Sequence, residues 1–173
     1  MNILQTLTAG FALALSVSAG VAAQSQQTEQ QPVDTNPGIF LGGTASVGFE
    51  QLPDNAIKFI TDNFAYKQIN KCEKDYPEGS FEVELRDGTE IDFAPDGTWT
   101  EIDAADNTTL PETLLKKILN PKAYDELVKR GYVNLVENVE RTASGGMKIE
   151  LDKIVIDEII FDINGTVVAV IED

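Results

Sequence analysis

The feature that most constrains this chain is a set of landmarks met twice in the same order. Leu52-Pro53-Asp54 opens one apolar-periodic stretch, and Leu110-Pro111-Glu112 opens another 58 residues later. Phe81-Glu82-Val83-Glu84-Leu85 is answered by Met147-Lys148-Ile149-Glu150-Leu151 at an offset of 66, and Phe93 with Asp96-Gly97 by Phe161 with Asn164-Gly165 at 68. Offsets that grow only at loops are what a duplicated unit with insertions leaves behind.

Within the first unit, Pro53 suits the opening of a helix, where its missing N–H would go unpaired anyway. Ile57, Ile60 and Phe64 then share one helical face. A strand is expected over 68–75, closed by Tyr76-Pro77-Glu78-Gly79. From Ser80 the chain alternates: Phe81, Val83 and Leu85 on one face, Glu82, Glu84 and Arg86 on the other. Asp87-Gly88 fits a type I′ hairpin, Pro95-Asp96-Gly97 turns again, and strands are expected over 89–93 and 98–102. The second unit carries two helical segments, 111–119 and one capped by Asn120-Pro121 that ends near Gly131. Strands follow at 133–141, 147–151, 154–163 and 166–171, with Ile160, Val168 and Val170 expected opposite the helix-packed side. The fold class is α+β: two tandem repeats, each one or two helices on an antiparallel meander of about four strands, at 52–109 and 110–173.

Residues 1–23 hold no charged side chain, and their apolar run, 9–17, is shorter than the roughly 20 residues a bilayer span needs. Small residues ending in Val21-Ala22-Ala23 fit signal-peptidase cleavage after Ala23, although no Lys or Arg precedes the apolar run. Export to the periplasm or beyond, with no membrane anchor left after cleavage, is the expectation. Residues 24–51 are rich in Gln, Ser, Thr, Pro and Gly without apolar period, and read as a disordered linker.

Composition then excludes whole classes of chemistry. The chain has no histidine and one cysteine, Cys72, so a four-ligand His/Cys zinc shell, an internal disulfide and an imidazole-activated nucleophile are ruled out. Cys72 reads as a strand residue. A net charge of −16 repels nucleic acid and anionic lipid, and favours a basic partner or cations. Glu82 and Glu84 share a strand face, as glycosidase carboxylates would, but among 29 acids such pairs arise by chance. Asp87, Asp92 and Asp96, and again Asp157, Glu158 and Asp162, crowd turns as calcium ligands might, yet match no EF-hand spacing; turn geometry accounts for acids before glycine. Trp99 reads as core, or, with Glu101 on the same face and Tyr76 nearby, as an exposed anchor.

Leu52-Pro53-x-x-Ala56-Ile57-x-Phe59-Ile60-x-x-Asn63-Phe64, the run from Phe81 to Phe93, and Asp96-Gly97-Thr98-Trp99 together resemble the PepSY-like, beta-lactamase-inhibitor-like family of secreted bacterial proteins. The resemblance covers Leu52 to the C-terminus and is strongest in the first unit. It implies tandem helix-plus-sheet repeats in the periplasm or outside, and no enzyme activity. The sequence therefore leads to a non-enzymatic exported module that recognises a protein or peptide, without metal or cofactor, through Trp99, Glu82, Glu84, Arg86 and Asp92. The alternative is a calcium-binding envelope sensor or structural protein.

Overall fold

The computed structural model describes residues 42–64, 68–152 and 155–172. The expected leader and the linker up to residue 41 lie outside them. Strand β1 (Gly43–Ser46) and a 3-10 turn (Phe49–Gln51) lead into α1 (Asp54–Asn63). Four strands follow: β2 (Ile69–Tyr76), β3 (Phe81–Leu85), β4 (Glu90–Phe93) and β5 (Trp99–Asp103). Helices α2 (Glu112–Ile118) and α3 (Pro121–Arg130) precede β6 (Val136–Arg141), β7 (Met147–Leu151), β8 (Ile156–Phe161) and β9 (Val167–Glu172).

The nine strands form one antiparallel sheet in chain order. The expected meanders are thus not two sheets: β5 pairs with β6 through Glu101 and Glu140, Ile102 and Val139, and Asp103 and Asn138. Residues 43–46, placed by the sequence in the linker, form an edge strand on β2. Alternation decides what each face carries. On the helix side a cross-strand row runs Cys72, Val83, Ile91, Ile102, Val139, Ile149, Ile159 and Val170. Its members from Cys72 to Ile159 are buried, together with Ile60 of α1, Leu114 and Leu115 of α2 and Leu127 of α3. Phe59 of α1 meets Phe93 edge-on at 6.0 Å and stacks on Trp99 at 5.9 Å.

The helix ends follow local chemistry. Asn120 caps α3 by accepting from the Lys122 N–H at 3.0 Å, and Gly131 ends it in the left-handed region at φ 77°. The hairpin turns differ from expectation in one respect. Arg86-Asp87-Gly88 is closed by Gly88 N–H to the Leu85 carbonyl and by Leu85 N–H to the Thr89 carbonyl, and only Gly88 has positive φ. This is a three-residue loop with a left-handed third position, in place of type I′. The loops 95–97, 143–145 and 163–165 close in the same way.

Two of these loops press on helix starts. A Cβ on Gly97 (φ 79°) would lie 2.7 Å from Pro53 Cβ and 2.8 Å from Ala56 N, and one on Gly165 (φ 76°) would lie 2.6 Å from Asn120 Oδ1. Asn55 Nδ2 donates to the Asp96 carbonyl, and Asn120 Nδ2 to the Ile163 carbonyl. Gly97→Ala combines a left-handed φ with contact against helix backbone. It should lower unfolding free energy by more than about 1 kcal/mol, measured by urea denaturation.

Candidate functional site

The face away from the helices carries two adjacent cross-strand rows of acids. One runs Glu73, Glu82, Asp92, Glu101 and Glu140, and ends at Lys148. The other runs Lys71, Glu84, Glu90, Asp103, Asn138, Glu150 and Glu158. Directly opposed like charges destabilise a sheet pair by several tenths of a kcal/mol, roughly 0.2–1. Here they are repeated from strand to strand.

Counter-charge within the rows sits at their ends. Lys71 Nζ pairs Glu73 at 2.8 Å; Lys148 Nζ bridges Glu140 at 2.8 Å and Glu150 at 3.0 Å, which raises its pKa. In the middle, the Asn138 side chain donates to Glu101 Oε1 at 2.6 Å, and Asn70 donates to Glu84 Oε1 at 2.9 Å. Asn138 is 5% exposed and its Oδ1 accepts from no group among the described residues.

Asp92 sits at the centre. Burial first, and then the charges of Glu101, Glu82, Glu90 and Asp103, push its carboxyl up to about 6. Burial raises Glu90 and Asp103 as well, helped by neighbouring acids; for Asp103 a hydrogen bond from Asn138 works the other way. A depression of about 320 Å³ lies beside Asp92, lined by Glu73, Glu82, Ser80 and Thr100 among others.

Of the residues chosen from sequence, Glu82, Glu84 and Asp92 are brought together on this face. Trp99 is not. Asp92 pairs with Glu101 and Phe93 with Trp99, so Thr100 is an extra residue, a β-bulge that turns Trp99 to the helix side. There it is 6% exposed, with the Arg141 guanidinium 4.0 Å from its ring centroid. The expectation that Trp99 shares a face with Glu101 fails for that reason, and the exposed-anchor reading is overturned. Arg86 lies in the β3–β4 turn, where its backbone N–H donates to the Gln68 carbonyl at 2.6 Å. A second bulge, at Val168, sets Val170 opposite buried Ile159, so Val170 faces the helix side. Ile160 is outward, as expected, in register with Lys148.

The turn acids weighed as calcium ligands have other work. Asp87 accepts from the Thr89 N–H, Asp96 from the Thr98 N–H, and Asp162 from the N–H groups of Asn164 and Thr166. These bonds hold the Asp96 and Asp162 carboxyls below their ordinary value. Among the described residues no three acidic or cysteine side chains group as a metal would require. Glu73, Glu90, Asp103, Glu140, Glu150 and Glu158 were missed as members of the face. Their signal was present as acids at alternate strand positions, but only register lines them up.

A family model described as “Putative beta-lactamase-inhibitor-like, PepSY-like” matches residues 79–169, from the third strand to the ninth. The chain belongs to the PepSY-like family. No curated protein matches it significantly. Among solved structures, a “putative periplasmic protein of unknown function” from Bacteroides vulgatus is 26% identical, with 75% of this chain and all of that one covered at a TM-score of 0.58. A “putative calcium-regulated periplasmic protein” from Bacteroides thetaiotaomicron is 22% identical over 75% of this chain and 97% of its own, at a TM-score of 0.60. A second Bacteroides vulgatus periplasmic protein, from the DUF2874 family, matches at 22% identity, 75% and 97% coverage, and a TM-score of 0.58. This PepSY-like protein is accordingly periplasmic or secreted. Among its described residues no helix is long and apolar enough to cross a membrane.

Two outcomes follow. The folded-state pKa of Asp92 lies above its unfolded value, so the native state holds more protons between roughly pH 4 and pH 6, and stability falls as pH rises through that window. The melting temperature should therefore rise from pH 7 to pH 5, and Asp92→Asn should raise it at pH 7 while shrinking the pH 5 gain. Trp99→Ala should cost folding stability, on the order of 3–5 kcal/mol in urea unfolding, as loss of a buried aromatic does.

Proposed function

We propose that the protein is a non-enzymatic binding module of the cell envelope, and that its acidic sheet face holds a cationic segment of a protein partner. The observation that carries this reading is the doubled row of opposed carboxylates across β3–β5, continued in one row by Glu73 on β2 and Glu140 on β6. Such an arrangement works against folding, and a run of Lys and Arg laid across it would relieve the repulsion. Neighbouring strands stand roughly 4.8 Å apart, so the acids form a lattice at side-chain spacing that an extended basic segment can follow. The net charge of −16 would also steer such a partner towards the protein.

A carboxyl raised to about 6, beside other carboxylates, is also what a hydrolase would use. Against that reading, burial and like-charged neighbours account for the shift. We also read the two helix-and-strand halves as copies of one unit. The matching contacts of Gly97 and Gly165 with helix starts, and of Asn55 and Asn120 with the following turns, support this.

Titration with a lysine-rich peptide tests the proposal. Binding should be measurable by calorimetry at low salt and weaken steeply as salt rises. The double variant Glu82→Lys with Asp92→Lys should remove it while leaving the fold intact by circular dichroism. Absence of binding at low salt, or binding indifferent to charge reversal, would sink the idea.

A second reading, a calcium-binding sensor, draws on the description of the Bacteroides thetaiotaomicron neighbour as calcium-regulated and on the unpartnered oxygen of Asn138 amid carboxylates. Calcium would have to draw the side chains of this face together. Calorimetry with calcium against magnesium separates the readings, and no heat with calcium disposes of the second.

A further inference from the structure

We infer that β9 is the interface of a two-fold symmetric homodimer, in which the strands of two copies pair antiparallel and the sheet continues from one subunit into the other. This edge lies just beyond the acidic rows, whose last member, Glu158, pairs with Ile171, and the inference does not rest on their function.

β9 is an edge strand without the features that guard edges. From Val167 to Ile171 it has no charged residue, no proline and no glycine. Edge strands are ordinarily short, charged or interrupted, because their unpaired N–H and C=O groups recruit other strands. The opposite edge follows that rule: β1 has four residues, Gly43-Thr44-Ala45-Ser46. In β9, by contrast, Val168 is 61% exposed, Val170 40% and Ile171 41%. The strand is apolar on both faces, with Val167 and Val170 in register with buried Phe161 and Ile159, and Ala169 and Ile171 on the outer side. Apolarity on both faces leaves this edge without the charge or proline that turns other strands away.

The occupant follows from charge and register. In a protein of net charge −16, a stretch free of acids is where a second, equally acidic copy can approach. The register is self-complementary as well. A two-fold axis through Val170 sets Val170 against its own copy on the helix side and Ala169 against Ile171 on the outer side, twice. Every central pair is then apolar and matched in face, as an isologous interface requires.

Sedimentation velocity of the full exported chain over a dilution series, with no peptide or metal added, tests this. The wild type should sediment as a dimer that dissociates on dilution. Val170→Lys places like charges opposite each other on the axis, and should raise the dissociation constant by more than about tenfold. Ile171→Lys, at a more peripheral pair, should do the same; melting curves of both check that the monomer still folds. Thr44→Lys on β1 should leave the dimer intact. A wild type that stays monomeric at the highest soluble concentration overturns the inference, even if it captures a strand-forming peptide on β9. So does a dimer that survives both β9 variants, or one that Thr44→Lys disrupts.

Discussion

The structure depends on one aliphatic row, Val83-Ile91-Ile102-Val139-Ile149-Ile159, that crosses six strands beneath the helices. Each member is fully buried, and each faces its cross-strand neighbours as well as the helix layer. The row passes without a break through the β5–β6 pairing at Ile102 and Val139, and so makes one core out of what the chain presents as two runs of strands. With a single buried cysteine and no disulfide, packing along this row, with the aromatic group of Phe59, Phe93 and Trp99 beside it, holds the fold.

The acidic face is the other consequence of the same alternation. Strands that put Val, Ile and Leu inward at every second residue present the intervening residues outward, and in this chain those are mostly Glu and Asp. A scattered acidic surface would account for net charge alone. Two aligned rows, with a desolvated aspartate between like-charged neighbours, hold repulsion that folding has to outweigh. That is the physical ground for reading the face as a docking surface, and the reason its central carboxyls bind protons more readily than exposed ones.

Much of the architecture was legible in the chain. Asn120-Pro121 and Gly131 marked the ends of α3, and β7 fell on its expected residues, because cap and turn chemistry are local. The candidate site was only half legible. Glu82, Glu84 and Asp92 followed from period-two alternation, but Trp99 did not, because the extra residue at Thr100 reverses the face of everything before it on the strand. A bulge leaves no signature in a strand of ordinary composition. Val168 misled the reading of Val170 in the same way.

By itself, the sequence determined the α+β class, the order of helices and strands from α1 onward, the absence of imidazole and disulfide chemistry, and the strong acidity. Each of these depends on residue type or on neighbours a few positions away. Tertiary structure decided that the strands merge into one sheet, that the acids of seven strands fall into two rows, and that Trp99 belongs to the core. Those outcomes turn on register and bulges between segments far apart in the chain, where a shift of one residue exchanges the buried face for the exposed one.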